Sequence, residues 1–469
     1  MLRVFLFLLA SLPCLATTWH VGATRTYTTP SAVCKLVRDG DTVEIDSGNY
    51  HGDVCSWIAN TCTILGKGMV NLYADGKAAE QKAIWVIKGD SCTVDNITFL
   101  DCAVPDRNGA GIRVEGTTIT ITRCTFRNNQ DGILAGDNMK STIRVTNCEF
   151  DRSGAGDGLS HAIYVNHVAR LFFISNYSHG TKVGHEYKSR ARLNYIMYNR
   201  ITNEDGTGSR NIDLPNGGTA YILGNIIHKG ANAENGNVIG YGLEGMTDST
   251  YYNVIYLARN TIVSDRSAST LLRLDTNTVT LRAVNNIIVG TTTFLTGKAA
   301  TIDTAMNIFL KQASQAGFID AAAYNYGITS TSVARGKAGP DGDFTVIDNQ
   351  GRKVSMPIIP AGVYKHVCWY EPRIGTADVG AYEYIAPTDV SEDAAARSVH
   401  ALTVYPNPAS DELFVTTSEP ALVRIVDATG RVVYEQLHNG PTPVSLQSVP
   451  SGVYTVLLHN AATQVVVVR

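Results

Sequence analysis

A short motif of strand-forming residues, ending in a polar or small residue, any residue and then Phe or Ile, recurs along this chain. Its copies read VDNITF, ITRCTF, RVTNCEF, IMYNRI, ILGNII, LARNTI, AVNNII and AMNIF. Anchored two residues before the final Phe or Ile, they fall at Ile97, Cys124, Cys148, Asn199, Asn225, Asn260, Asn286 and Asn307, with a degenerate copy at Asn176. The steps are 27, 24, 28, 23, 26, 35, 26 and 21 residues, a period of one solenoid turn. Short β-branched strands broken by Gly, Asn and Asp fill each period, and no helical period runs between them, so the turns are coils of strand. An asparagine at one fixed register predicts an internal ladder, each amide bonding the next turn and satisfying polar groups buried in the coil. These asparagines are scaffold in this reading, not site.

Neighbouring parallel strands lie about 4.8 Å apart and side chains alternate along each strand, so equivalent positions form columns that face alternately in and out. One strand per turn aligns as GIRVE from Gly111, GILAG from Gly132, AIYVN from Ala162, EYKSR from Glu186, NIDLP from Asn211, GLEGM from Gly242 and LLRLD from Leu271. Ile112, Ile133, Ile163, Tyr187, Ile212, Leu243 and Leu272 then share an inward column, apolar as a core requires. The next column, facing outward, reads Arg113, Leu134, Tyr164, Lys188, Asp213, Glu244 and Arg273. It stacks Tyr164, Lys188 and Asp213 one above another, flanked two residues away by Glu186, Arg190, Asn166 and Asn211. His161 and His185 align at the strand starts, where alternation binds least and either face is open to them.

These columns lie in a basic band of a chain whose net charge is −3. Five of the eleven histidines fall between Leu159 and Lys229, with Arg170, Lys182, Lys188, Arg190, Arg192, Arg200, Arg210 and Lys229 against only Glu186, Glu204, Asp205 and Asp213. Tyr, Lys, Asp, Arg and His on one open sheet face are equipped for acid and base chemistry. The plain alternative is a solvated charge ladder in which Lys188 pairs with Asp213.

The remaining segments set the organisation. MLRVFLFLLASLPCLA has the early cation, apolar run and small residues of a secretory signal peptide over 1–16, and no later apolar run reaches membrane length. Pro30 opens a short amphipathic segment near 31–37, expected as a capping helix, and the coil domain is expected over 17–385 with a turn-rich tail from about residue 310. DVGAYEY, ending at Tyr384, is expected as its closing strand. Small, polar and acidic residues make 386–400 a linker, and alternation with turns at PNPASD, DATGR and PSG predicts a small β-sandwich over 401–469. Eight of the nine cysteines follow the signal peptide, and an exported chain permits disulfides. NTCTILG and DSCTVDN put Cys62 and Cys92 at equivalent points of neighbouring turns, within bridging reach; a Cys62–Cys92 disulfide and a pair of packed thiols are the two expectations. The near-balanced charge gives no argument for nucleic acid, and a monomer is the expected state.

The capping segment followed by GDTVEIDSGNY, together with the coil of repeats, resembles the right-handed parallel β-helix proteins of the pectate-lyase-like superfamily. YPNPASDELFV, VRIVDATGRVV and SVPSGVYTVLL, followed by a short strand ending on a basic residue, resemble the type IX secretion sorting domain of Bacteroidetes over 401–469. The resemblances imply an all-β chain: a right-handed single-stranded parallel β-helix, then a small β-sandwich. They also imply the type IX secretion machinery as a partner, passage across the outer membrane, and release or surface attachment.

Members of this superfamily often act on acidic polysaccharides, and its lyases resemble this site in using Lys or Arg as base on the outer face. Such β-elimination needs a cation on the uronate carboxylate, a base for the C5 proton and a donor to the C4 oxygen. Lys188 is the expected base, Tyr164 or His161 the donor, and Arg190, Arg192 or Arg210 the carboxylate clamp. Asn166, Asn211 and His185 flank them as substrate contacts. Lyases of this fold often use Ca²⁺, for which Asp213, Glu186 and Glu244 are the candidate oxygen ligands. The sequence departs from alginate-type lyases where their LRHGN-like run meets DLPNGG, with Pro215 in place of the second catalytic arginine. It also lacks the paired-aspartate and GHG motifs of polygalacturonases. The alternatives are a hydrolase using Asp213 with Glu186 or Glu244, and a glycan-binding protein without chemistry.

Overall fold

A computed structural model of the chain describes residues 16–246, 251–275, 279–347, 353–358, 361–365, 368–386, 403–405, 409–416, 421–427, 432–438, 442–458 and 461–468. The expected signal peptide, except residue 16, and the expected linker, except 386, lie outside the described residues.

The repeats form a coil of parallel strands. A ten-stranded sheet holds one short strand per turn in chain order, from Cys55–Trp57 to Thr293–Thr296, and a 21-stranded sheet wraps the remaining sides. The interior is the apolar column that alternation predicts: Trp85, Ile112, Ile133, Ile163, Tyr187, Ile212, Ile239 and Leu272 are all fully buried. Phe99, Phe126 and Phe150 stack behind it at 5.2 and 4.9 Å. One turn differs from the sequence alignment. The strand after Ile212–Leu214 is Asn237–Tyr241, so Ile239 takes the inward place given to Leu243, and Gly240 the outward place given to Glu244. This is the 35-residue repeat, and its surplus residues enter the loop after the strand, where GLEGM matches the pattern without being part of the sheet.

The asparagine ladder is present. The backbone N–H groups of Cys148, Asn176, Asn199, Asn225, Asn260 and Asn286 each donate to the side-chain oxygen one turn ahead, at 2.8 to 3.1 Å. Each turn enters the ladder through a left-handed bend: Asn96, Arg123, Asn147, Ser175, Tyr198, Arg259, Asn285 and Met306 have φ of 51° to 59°, and Gly224 φ 63°. Such a conformation costs a non-glycine residue about 1–2 kcal/mol. Recurring in every turn, it is offset by the buried bonds that it aims.

Cys62 and Cys92 are Cα partners with sulfurs 3.2 Å apart, and both stand as free thiols. The expected capping helix is a single 3-10 turn, Pro30–Ala32, with Val33 closing back on Pro30. After the coil, the antiparallel hairpins Phe318–Asp320/Asn325–Ile328, Asp343–Ile347/Lys353–Pro357 and Gly362–Lys365/Trp369–Pro372 pack along its side. The DVGAYEY segment forms no strand; Gly380 and Ala381 pin it to Asn285 and Thr261 of the coil. A three-stranded and a four-stranded antiparallel sheet then enclose a separate core that includes Leu413, Ile425 and Val456. Among the described residues no helix is long and apolar enough to cross a membrane.

Candidate active site

Tyr164, Lys188 and Asp213 are successive Cα partners on the ten-stranded sheet, in Ile163–Val165, Tyr187–Ser189 and Ile212–Leu214. The Lys188 ammonium lies 5.2 Å from the Tyr164 ring centre, a cation–π contact, and 3.9 Å from the Asp213 carboxylate. Arg190 follows one residue after its strand and spreads its guanidinium over three partners. Its Nε donates to the Tyr164 hydroxyl at 3.2 Å, its Nη1 to Asn216, and its Nη2 to Glu244 at 2.5 Å.

Glu244 reaches the cluster from outside the sheet. The turn between Gly242 and Gly245, both with positive φ, presents it, and its own N–H bonds the carbonyl of Pro215. One carboxylate oxygen takes Lys188 at 3.1 Å and the other takes Arg190, so a single carboxylate bridges the two cations. The lysine and arginine side chains are only 12% and 13% exposed, whereas Glu244 is 46% exposed. Glu244 is therefore the outermost group and the one free to leave. Burial works against its charge, yet the Arg190 bond and the Lys188 charge hold its carboxyl below the usual carboxylate value.

Beneath lies a second polar column. Asp131 Oδ1 accepts the His161 N–H at 2.7 Å, His161 Nδ1 accepts the His185 N–H at 3.0 Å, and His185 Nδ1 accepts the Arg210 N–H at 3.0 Å. The two imidazoles stack at 4.8 Å. Burial pushes both histidines well below their ordinary value. They are therefore neutral, and accepting at Nδ1 fixes the Nε2–H tautomer. His185 Nε2 lies 3.4 Å from Asp213 Oδ2, which has no hydrogen-bond partner among the described residues. Burial pushes Asp131 up to about 8. Burial also raises Asp213, against the pull of Arg210, whose Nη1 bonds it at 3.1 Å, and of Lys188. Gly240, next in the outward column, leaves room for Arg210: a Cβ there would stand 2.6 Å from Arg210 Cδ.

Several expected site residues lie elsewhere. Asn211 is buried in the coil and donates to the carbonyls of Ile201 and His228. Glu186 is fully buried too, bonded to Ser178, Thr181 and Asn203, and burial raises its carboxyl. Both stand at the edge of their strands, where the outward alternation has not begun. Arg192 and Asn166 sit in the irregular connections between strands, and the bonds of the cluster do not include them. The three candidate calcium ligands are not gathered on one face: Glu186 faces the interior, whereas Asp213 and Glu244 each pair with cations of the outward cluster. Asn216 was not foreseen. It orients Arg190 and, through Nδ2 to the Gly245 carbonyl at 2.8 Å, holds the turn that carries Glu244. Its only sequence signal is the DLPNGG run, legible as a turn but not as a contact.

A family model described as right handed beta helix region matches residues 34–162, and one described as secretion system C-terminal sorting domain matches residues 403–468. No curated protein matches the chain. The first match ends just before Tyr164, so it speaks for the coil and not for the chemistry of the cluster. The terminal domain is that of type IX export, which carries its cargo out of the cell or onto its surface. The chain folds as a parallel β-solenoid that resembles the right-handed β-helix family over residues 34–162, and its C-terminal type IX sorting domain marks it for secretion or the cell surface.

Proposed function

We propose that this protein acts on carbohydrate outside the cell, cleaving an acidic, uronate-containing polysaccharide by β-elimination on the outer face of the ten-stranded sheet. The observation that carries this is the Glu244 carboxylate seated between Lys188 and Arg190. Two cations that bracket one internal carboxylate can bracket a uronate in its place, with guanidinium matching it bidentately. When substrate displaces Glu244, Arg190, braced by Asn216 and Tyr164, neutralises the carboxylate and so acidifies the C5 proton. Lys188, released from Glu244, gives its ammonium proton to solvent and, as the neutral amine, takes the C5 proton. The Tyr164 oxygen accepts from Arg190 Nε, which leaves its own proton to donate to the C4 oxygen as the C4–O bond breaks. The C5–H electron pair becomes the C4=C5 double bond. The products are a shortened chain and an unsaturated uronate.

A hydrolase using two carboxylates across a sugar fits less well. Asp213 is 1% exposed beneath Lys188, and Glu186 is inside the coil. A glycan-binding role without chemistry draws on the same cation pair. The test is ultraviolet absorbance of unsaturated uronate on mixing the protein with alginate, pectate, glycosaminoglycans and glucuronans. New absorbance on one of them, lost in a folded Lys188→Ala variant, supports the lyase. Reducing ends without absorbance point to hydrolysis, and binding with neither points to a lectin.

A further inference from the structure

Cys62 and Cys92 occupy one register in successive turns, in Thr61–Tyr73 and Ser91–Asp95. Alternation turns both inward, in line with the fully buried Ile64 and Val94, and the two cysteines are only 5% and 2% exposed. Their sulfurs lie 3.2 Å apart. Gly89 keeps the space beside them clear: a Cβ there would stand 2.6 Å from Cys92 Sγ. Paired parallel strands hold their Cα atoms about 4.8 Å apart, inside the range that a disulfide spans. The other stacked pair is engaged differently. Cys124 and Cys148 stand at the ladder register, where Cys148 Sγ accepts the Cys124 N–H at 3.4 Å and lies 3.3 Å from the Thr146 carbonyl oxygen. That thiol serves the backbone as the ladder asparagines do. Those asparagines begin at Asn176, so Cys62 and Cys92 join turns that the ladder does not reach.

We infer that Cys62 and Cys92 form a disulfide in the exported protein, a covalent tie between two turns at the N-terminal end of the coil. A chain bearing a type IX sorting domain leaves the cytosol, and thiols in juxtaposition outside it become oxidised. The oxidant is a disulfide-bearing oxidoreductase of the export compartment. One cysteine thiolate attacks the oxidant's disulfide, forming a mixed disulfide and releasing the oxidant's second sulfur as thiolate. The other cysteine thiolate then attacks its neighbour's sulfur in that mixed disulfide. The Cys62–Cys92 bond forms, two electrons pass to the oxidant, and the two thiol protons end on its dithiol. Both sulfurs are buried once the coil has formed, so the exchange belongs to folding, before these turns close. The inference rests on the sulfur geometry and does not require the reaction proposed at Lys188.

The test is a non-reducing peptide map of the full-length exported protein, denatured and alkylated before digestion. The expected result is one linked species carrying Cys62 and Cys92, two hydrogens lighter than the separate peptides and split by reductant, with Cys124 and Cys148 alkylated. The thermal midpoint of the wild type is expected to fall on reduction, and that of Cys92→Ala to be unchanged by reductant. The map is read on the wild type, so it stands even should the variant not fold, and it reads mass rather than activity, which separates its failure from that of the lyase assignment. Alkylated Cys62 and Cys92 in the unreduced protein, or a link from either to another cysteine, would overturn the inference.

Discussion

Two polar columns run down the same coil and use the same device, a side-chain acceptor that takes a backbone N–H one turn away. From Asn176 to Asn307 the residue is asparagine at every step, fully buried as far as Asn286, with its own amide donors returned to backbone carbonyls. From Asp131 through His161 and His185 to Arg210 the residue changes at nearly every step. The first column repeats because each turn poses the same problem of buried backbone polarity, and one amide solves it. The second does the same structural work with titratable groups and carries them to the edge of the outward cluster, where His185 faces Asp213 and Arg210 bonds it. The uniform column is scaffold, and the varied one borders the proposed site.

The largest effect should come from the outward cluster. Lys188→Ala and Arg190→Ala are each expected to lower lyase turnover by about 10²–10⁴-fold, the range of a lost acid or base group, with the thermal midpoint little changed. Unfolding of the variant would break the contrast, because the cluster would then be scaffold as well. Conversely, Asn225→Ala should cost stability while sparing activity per folded molecule. It strips the Asn199 N–H and amide of their acceptor, at about 1–3 kcal/mol for each buried group left unsatisfied, measurable by chemical denaturation.

His161→Asn makes the second column resemble the first. Burial holds folded His161 well below 6.5, so below about pH 6.5 the unfolded chain binds a proton that the folded one does not. Wild-type stability therefore loses about 1.4 kcal/mol per pH unit to this residue as pH falls, until the folded value is reached. Asp131, raised to about 8, contributes with opposite sign, its share lost as pH rises towards that value. The quantity to measure is thus the wild-type-minus-variant difference between about pH 7 and 5. A flat difference would remove the titratable character that separates the columns. The smallest effect is expected from Glu244→Gln, which weakens an internal competitor. An exposed ion pair is worth about 0.2–1 kcal/mol, so affinity for an acidic oligosaccharide should rise about two- to fivefold. A fall in affinity would make Glu244 a substrate contact rather than a stand-in for one.

Much of the scaffold was legible because repetition multiplies weak signals. Eight approximate copies of one motif define the period, the ladder and the inward column, and alternation within three-residue strands was enough to stack Tyr164, Lys188 and Asp213. Legibility failed at strand edges and in loops. Asn211 and Glu186 each lie one residue before a strand and turn inward to bond Ile201, His228, Ser178 and Thr181. The histidines left open to either face are buried rungs. The 35-residue repeat shifted one strand, which put Glu244 in the wrong place for the right neighbours.

The sequence by itself determined the coil, the sandwich and the column of outward side chains, because period and alternation are local properties that each turn restates. Only the tertiary structure decided which groups meet. Glu244 and Asn216 reach Arg190 across loops whose path no period encodes. Contacts made once, between segments far apart in the chain, have no repeat to announce them.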